Sequence, residues 1–139
     1  MSDFVLDASV LVKWAVPENA EVDTDKALDL LADFEQGNIN LLQPIHWLCE
    51  VGAVLCRISA PTLNRKIQLL RALEIPVIDN PAIFQFAGEL AVELDHHLFD
   101  TLYHAVALEN NMTLVTADRR YYQKAYGLGG IVMLEDFGG

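Results

Sequence analysis

At 139 residues the chain has the length of one domain, large enough to bury a core without disulfides or a structural metal. Its 53% apolar and 21% charged residues exclude disorder; it has no run of about 18 apolar residues to span a membrane, and Asp3 and Asp7 stand where a signal peptide would need a basic start, so the expected location is the cytoplasm. A net charge of −11 with a pI near 4.5 excludes nucleic-acid binding through overall charge and leaves that role to local basic groups.

Phe4-Val5-Leu6 is a brief apolar run bounded by acids, which predicts a first strand ending at Asp7. Asp7-Ala8-Ser9 turns the chain into a short helix, Val10 to Ala15, stopped by Pro17 because the residue before a proline leaves the helical region. From Glu18 to Gln36, Ala27, Leu28, Leu30, Leu31 and Phe34 recur at helical spacing, with Gly37-Asn38 as the stop. Ile39 to Gln43 predicts a second strand broken at Pro44, and Ile45 to Ser59 a helix with Trp47, Val51, Val54, Leu55 and Ile58 inward. A helix over Pro61 to Leu73, a third strand at Pro76 to Asp79, and a helix over 82–95 with Phe84, Ala87, Leu90, Ala91 and Leu94 inward follow.

Residues 98–121 organise the rest: a helix opening just after Asp100, a polar turn at Asn110-Asn111, and an apolar strand, Met112 to Val115, that delivers Thr116 and Asp118 to its carboxyl end. A helix from Arg119 to Ala125 and the glycines at 127, 129 and 130 lead to a fifth strand, Ile131 to Leu134. Those glycines form no phosphate loop, since no Lys-Ser or Lys-Thr follows them. The repeat of strand and helix predicts an α/β fold over a single domain, 1–139: three layers, with a five-stranded, mostly parallel sheet and helices on both faces.

Four acids fall where such a sheet gathers its functional groups. Asp7 ends the first strand, Glu50 lies a turn into the helix after the second, Asp100 opens a helix and Asp118 follows the fourth strand. Individually, the three aspartates also read as helix caps and Glu50 as a partly exposed helix residue. Together they would converge on one sheet edge, where their mutual repulsion calls for a compensating cation. Oxygen-only ligation, with no Cys or His at ligand spacing, points to Mg²⁺ or Mn²⁺, ions that activate water and stabilise the charge built during phosphodiester hydrolysis.

The blocks Phe-Val-Leu-Asp-Ala-Ser-Val-Leu-Val, Glu50 in a mid-chain helix, Leu-Phe-Asp-Thr-Leu-Tyr-His-Ala-Val-Ala-Leu and Leu-Val-Thr-Ala-Asp-Arg-Arg-Tyr resemble, in order and spacing, the four acidic blocks of PIN-domain nucleases, and most of all the small VapC-like toxins of bacterial toxin-antitoxin pairs. The resemblance implies a metal-dependent ribonuclease leaving 5′-phosphate and 3′-hydroxyl ends, with Asp7, Glu50, Asp100 and Asp118 as catalytic, metal-binding acids. It also implies that Ser9 and Thr116 hold metal-bound water or the acids, although both equally suit local turn hydrogen bonds. A cognate antitoxin and a homodimeric partner are implied in the same way. Lys13, Arg119 and Arg120 lie near the acidic edge as candidates to meet RNA phosphates, the two arginines reading equally as helix-face charges.

Other residues read as structural: His46, His96, His97 and His104 share no metal-ligand spacing, Trp14 and Trp47 suit the core, and Cys49 and Cys56 read as buried free thiols. Two other functions fit the pattern. One is a catalytically silent, partner-binding PIN-like module. The other is a receiver-like signalling domain with Asp79 as phosphoacceptor, which the single Asp ending the first strand and the absence of a Lys after the fifth both disfavour.

Overall fold

A computed structural model describes residues 2–138. In chain order it comprises β1 (Ser2–Leu6), α1 (Ala8–Ala15), α2 (Thr24–Glu35), β2 (Ile39–Leu41), β3 (Gln43–Pro44), α3 (Trp47–Ile58), α4 (Leu63–Ala72), β4 (Val77–Ile78), α5 (Pro81–Leu94), α6 (Leu98–Glu109), β5 (Thr113–Thr116), α7 (Arg119–Ala125) and β6 (Ile131–Met133). Four strands form a sheet in the order β2-β1-β5-β6, and β3 with β4 forms a second, two-stranded sheet. All pairings are parallel. Successive strand residues face opposite sides, yet Val5 and Leu6 in β1 and Leu114 and Val115 in β5 are all completely buried, so helices cover both faces.

The expected parallel sheet between helices is present, but its second strand is not continuous. Leu42 still donates its amide to the Phe4 carbonyl (3.2 Å), whereas Gln43 turns its own amide to the Pro76 carbonyl (2.9 Å), handing the chain from one sheet to the other. The fully buried Gln43 side chain then acts as a strand partner: its Oε1 accepts from the Leu6 amide and its Nε2 donates to the Leu6 carbonyl, both at 2.8 Å. A primary amide carries the same donor and acceptor as a peptide group, so it continues the ladder where backbone is missing.

Four helical expectations shift. The helix expected from Glu18 begins only at Thr24, because Ala20 and Asp23 take left-handed backbone (φ 48° and 63°) that ends a helical run. The helix expected to open after Asp100 opens at Leu98, which places Asp100 inside the first turn. On α5 the buried residues are Ile83, Ala87 and Leu90, leaving Phe84 57% exposed. On α3 the inward stripe is Trp47, Val51, Gly52 and Leu55; Ile58 falls outside it, and Cys49 and Cys56, expected to be buried, are exposed. Trp14 and Trp47 are core residues as expected.

The chain leaves β1 to one side, towards β2, and β5 to the other, towards β6. The carboxyl ends of β1 and β5 therefore flank the point where the winding reverses, the usual place for a ligand in an open parallel sheet.

Candidate functional site

Asp7 is the first residue past β1 and the N-cap of α1. Its Oδ2 accepts from the Ser9 amide (3.0 Å) and from the Ser9 hydroxyl (2.6 Å). The Ser9 Oγ in turn accepts from the Ala117 amide (2.9 Å), so one hydroxyl ties the end of β1 to the end of β5. Thr116, completely buried, accepts the Asp118 amide on its Oγ1 at 3.0 Å, and Asp118 caps α7 by accepting the Tyr121 amide on Oδ1 at 3.1 Å. Ser9 and Thr116 thus both hold the turns that present acids.

Asp7, Glu50, Asp100 and Asp118 line one cleft of about 450 Å³, together with Ser9, Lys13 and Glu21. Burial is expensive for these carboxylates. The Asp7 carboxyl is pushed up to about 6, chiefly by burial, with the Ser9 bonds opposing and the charges of Asp100 and Asp118 reinforcing. Glu50 is pushed up to about 7, again chiefly by burial, then by Asp7. Tyr103 lies three residues after Asp100 on α6, fully buried, and its hydroxyl faces Glu50 without a partner at normal hydrogen-bond geometry. Burial and the neighbouring carboxylates push that phenol well above its usual range.

The four acids are not equally close. Among the described residues, the only His, Cys, Asp or Glu donors that lie within 4.8 Å of one another in a group of three are those of His96, Asp100 and Asp118. His96 Nε2 sits 2.7 Å from Asp100 Oδ2, its side chain only 7% exposed and its ring tilted against Tyr121 with centroids 4.9 Å apart. These three residues and Arg120 line an adjoining hollow of about 420 Å³. The expectation that no histidine stands at ligand spacing is therefore corrected: His96 precedes Asp100 by four residues, and α6 starts early enough to bring the ring onto the carboxylate. That i to i+4 spacing, like Tyr103 three residues after the same acid, is the signal by which either could have been found.

Of the other histidines, His104 and His46 are held by neighbouring groups, His46 also lying 3.8 Å from Glu50. His104, completely buried, pairs with the Tyr121 hydroxyl (2.9 Å) and the Gly129 carbonyl (2.8 Å). His46 binds the Phe99 carbonyl (3.0 Å) and stacks on the Phe99 ring. Of the basic candidates, Lys13 is buried and lines the acidic cleft, and Arg120 is exposed beside the adjoining hollow. Arg119 lines neither, pairing instead with Glu135.

A divalent cation fits this donor set. Four carboxylates surround one cleft, Asp7 and Glu50 pushed up to about 6 and about 7, and a positive charge would relieve both their burial in ionised form and their mutual repulsion.

A model of the PIN domain family matches residues 4–127. No curated protein sequence matches the chain. Among solved structures, the chain is similar to PAE2754 from Pyrobaculum aerophilum, with 20% identity, a TM-score of 0.68, and 96% of this chain and 90% of that one covered. It is also similar to a toxin-antitoxin complex from Klebsiella pneumoniae, with 18% identity, a TM-score of 0.65, and 94% and 96% covered. A third similar structure is VapBC2 from Rickettsia felis bound to a DNA fragment from their promoter, with 20% identity, a TM-score of 0.63, and 94% and 96% covered.

Proposed function

We propose, from the premise that the chain belongs to the PIN domain family, that it is a metal-dependent endoribonuclease and the toxin of a toxin-antitoxin pair. The observation that carries this reading is the convergence of Asp7, Glu50, Asp100 and Asp118 on one cleft at the switch point of the sheet. The likeness to a toxin-antitoxin complex supports the antitoxin partner.

Asp7, Glu50, Asp100 and Asp118 would hold Mg²⁺ or Mn²⁺, which when bound supplies a Lewis acid for the phosphoryl oxygen, lowers the pKa of water and neutralises charge at the leaving 3′-oxygen. The chain's own residues do the positioning. Ser9 fixes the Asp7 carboxylate and joins it to the loop that carries Asp118. The Tyr103 hydroxyl is placed to donate to Glu50 once that carboxylate is ionised. Lys13 puts an ammonium in the cleft and Arg120 a guanidinium beside it, two cations that suit RNA phosphates in a chain otherwise strongly acidic.

Residues 1–139 act as one nuclease domain in the cytoplasm; no described helix is long and apolar enough to cross a membrane. Ile45, Phe84 and Phe99, each more than half exposed around one apolar hollow, are the face we assign to a second copy of the chain.

Cleavage of a mixed RNA pool by purified protein tests the reading. Cutting is expected with Mg²⁺ or Mn²⁺ and is expected to vanish with EDTA. In Asp100→Asn it falls by two orders of magnitude or more with the fold intact. Cutting that persists in EDTA or in Asp100→Asn removes the reading. Binding of metal without any cutting favours a partner-binding module.

A further inference from the structure

We infer that His96 is a nitrogen ligand, with Asp100 and Asp118, to a cation held where the acidic cleft meets the adjoining hollow, so that this centre prefers a first-row transition dication such as Mn²⁺ over Mg²⁺. The inference rests on the metal-dependent reading above and deepens it: the acids alone describe a hard oxygen site, which either ion would suit. The geometry adds an imidazole. Donor atoms of His96, Asp100 and Asp118 lie within 4.8 Å of one another, the spread expected of ligands that share one ion.

Three features separate this imidazole from a surface histidine that happens to touch an acid. Its side chain is 93% withdrawn from solvent, with the ring set between His97 and Tyr121, so its orientation is fixed by packing. Its Nε2 points at the same carboxylate, Asp100, that borders both the acidic cleft and the adjoining hollow. Among the described residues, moreover, no other histidine shares such a group of three donors. Of the nearby cations, Lys124 donates to the Asp95 carbonyl at 2.6 Å, leaving Arg120 as the guanidinium at the hollow's edge.

Ligand chemistry turns this placement into a preference. Mg²⁺ keeps oxygen ligands and sheds water reluctantly, whereas affinity for a nitrogen donor rises along the first-row series from Mn²⁺ onward. Exchanging one carboxylate or water for imidazole therefore costs Mg²⁺ more than Mn²⁺.

Mn²⁺ binding to the full chain, followed without RNA by the loss of the free-ion paramagnetic resonance signal and by competition with Mg²⁺, tests the inference. Expected are at least tenfold tighter binding of Mn²⁺ than of Mg²⁺, and nitrogen modulation in the spin echo of bound Mn²⁺ that changes when the histidines carry ¹⁵N. His96→Asn is expected to lose the modulation and about tenfold in Mn²⁺ affinity while Mg²⁺ affinity holds, and His97→Asn to change neither. Bound Mn²⁺ without nitrogen modulation overturns the inference, as does an equal loss for both ions in His96→Asn, which would make His96 only a positioning residue for Asp100. The isotope measurement uses the unaltered chain and so does not depend on the variants folding. A nitrogen-ligated ion with no RNA cleavage would leave this inference standing and remove the nuclease reading, and cleavage with an all-oxygen ion would do the reverse.

Discussion

At the residue scale, Asp7 shows how the site works against the fold. Its carboxyl, ordinarily near 3.8, is pushed up to about 6, and Glu50, ordinarily near 4.5, to about 7. Between those limits the unfolded chain has released protons that the folded chain keeps. Stability of the metal-free protein therefore falls as pH rises from about 4 to about 7 and levels off above that, the reverse of the usual salt-bridged carboxylate. Asp7→Asn keeps an acceptor for the Ser9 amide and removes a buried charge. The melting temperature of the metal-free variant at pH 8 is expected to lie on the order of 5 °C above that of the parent, the difference vanishing near pH 4. A variant less stable than its parent at pH 8 in a thermal scan would show that the charge is compensated within the chain. In the same variant the rise in melting temperature on adding Mn²⁺ is expected to shrink by more than half.

At the scale of elements, the division of the sheet depends on one side chain. Gln43 supplies both hydrogen bonds that Leu6 would otherwise take from a continuous second strand, and Leu6 is the residue before Asp7. Gln43→Leu fills the same volume but leaves the Leu6 amide and carbonyl buried and unpaired. A loss of about 2–5 kcal/mol is expected in urea unfolding, with metal affinity weakened as the end of β1 shifts. Gln43→Glu supplies both acceptor and donor only while protonated and is expected to fall between the two at low pH and to lose stability as pH rises; a Leu variant as stable as its parent would mean that water reaches this edge.

The same element shows what was legible beforehand. Brief apolar runs and turn residues located the ends of β1 and β5, and with them Asp7 and Asp118, because those signals are local. The break at Leu42 was not legible: Ile39 to Gln43 reads as one strand, and only the tertiary position of Pro76 and Leu6 decides where its hydrogen bonds go. Phe84 was misplaced for a related reason, since a helix apolar on more than one side does not say which side meets the core. His96 is not legible from spacing among the histidines, because the groups it lies beside are two aspartates from different elements.

At the scale of the whole molecule, 20 acids against 9 bases make the free chain self-repelling, and the cleft concentrates that repulsion at its centre. A cation that binds only the folded form stabilises it by mass action, by about 2.7 kcal/mol when the free ion stands a hundredfold above its dissociation constant. Digestion by a nonspecific protease at pH 8 is expected to be at least tenfold slower with saturating Mn²⁺ than with EDTA, and this protection is expected to be lost in Asp100→Asn. Equal digestion rates with and without the ion would mean that the ion adds nothing to the fold.

The Ser9 hydroxyl carries this further. Because it fastens the β1 end to the β5 end while holding the Asp7 carboxylate, repulsion among the acids in the absence of a cation would act on both central strands at once. Under the proposed cation site, the lifetime of the chain would become a record of ion supply: copies without the cation are expected to be digested first, leaving a population enriched in molecules that carry it.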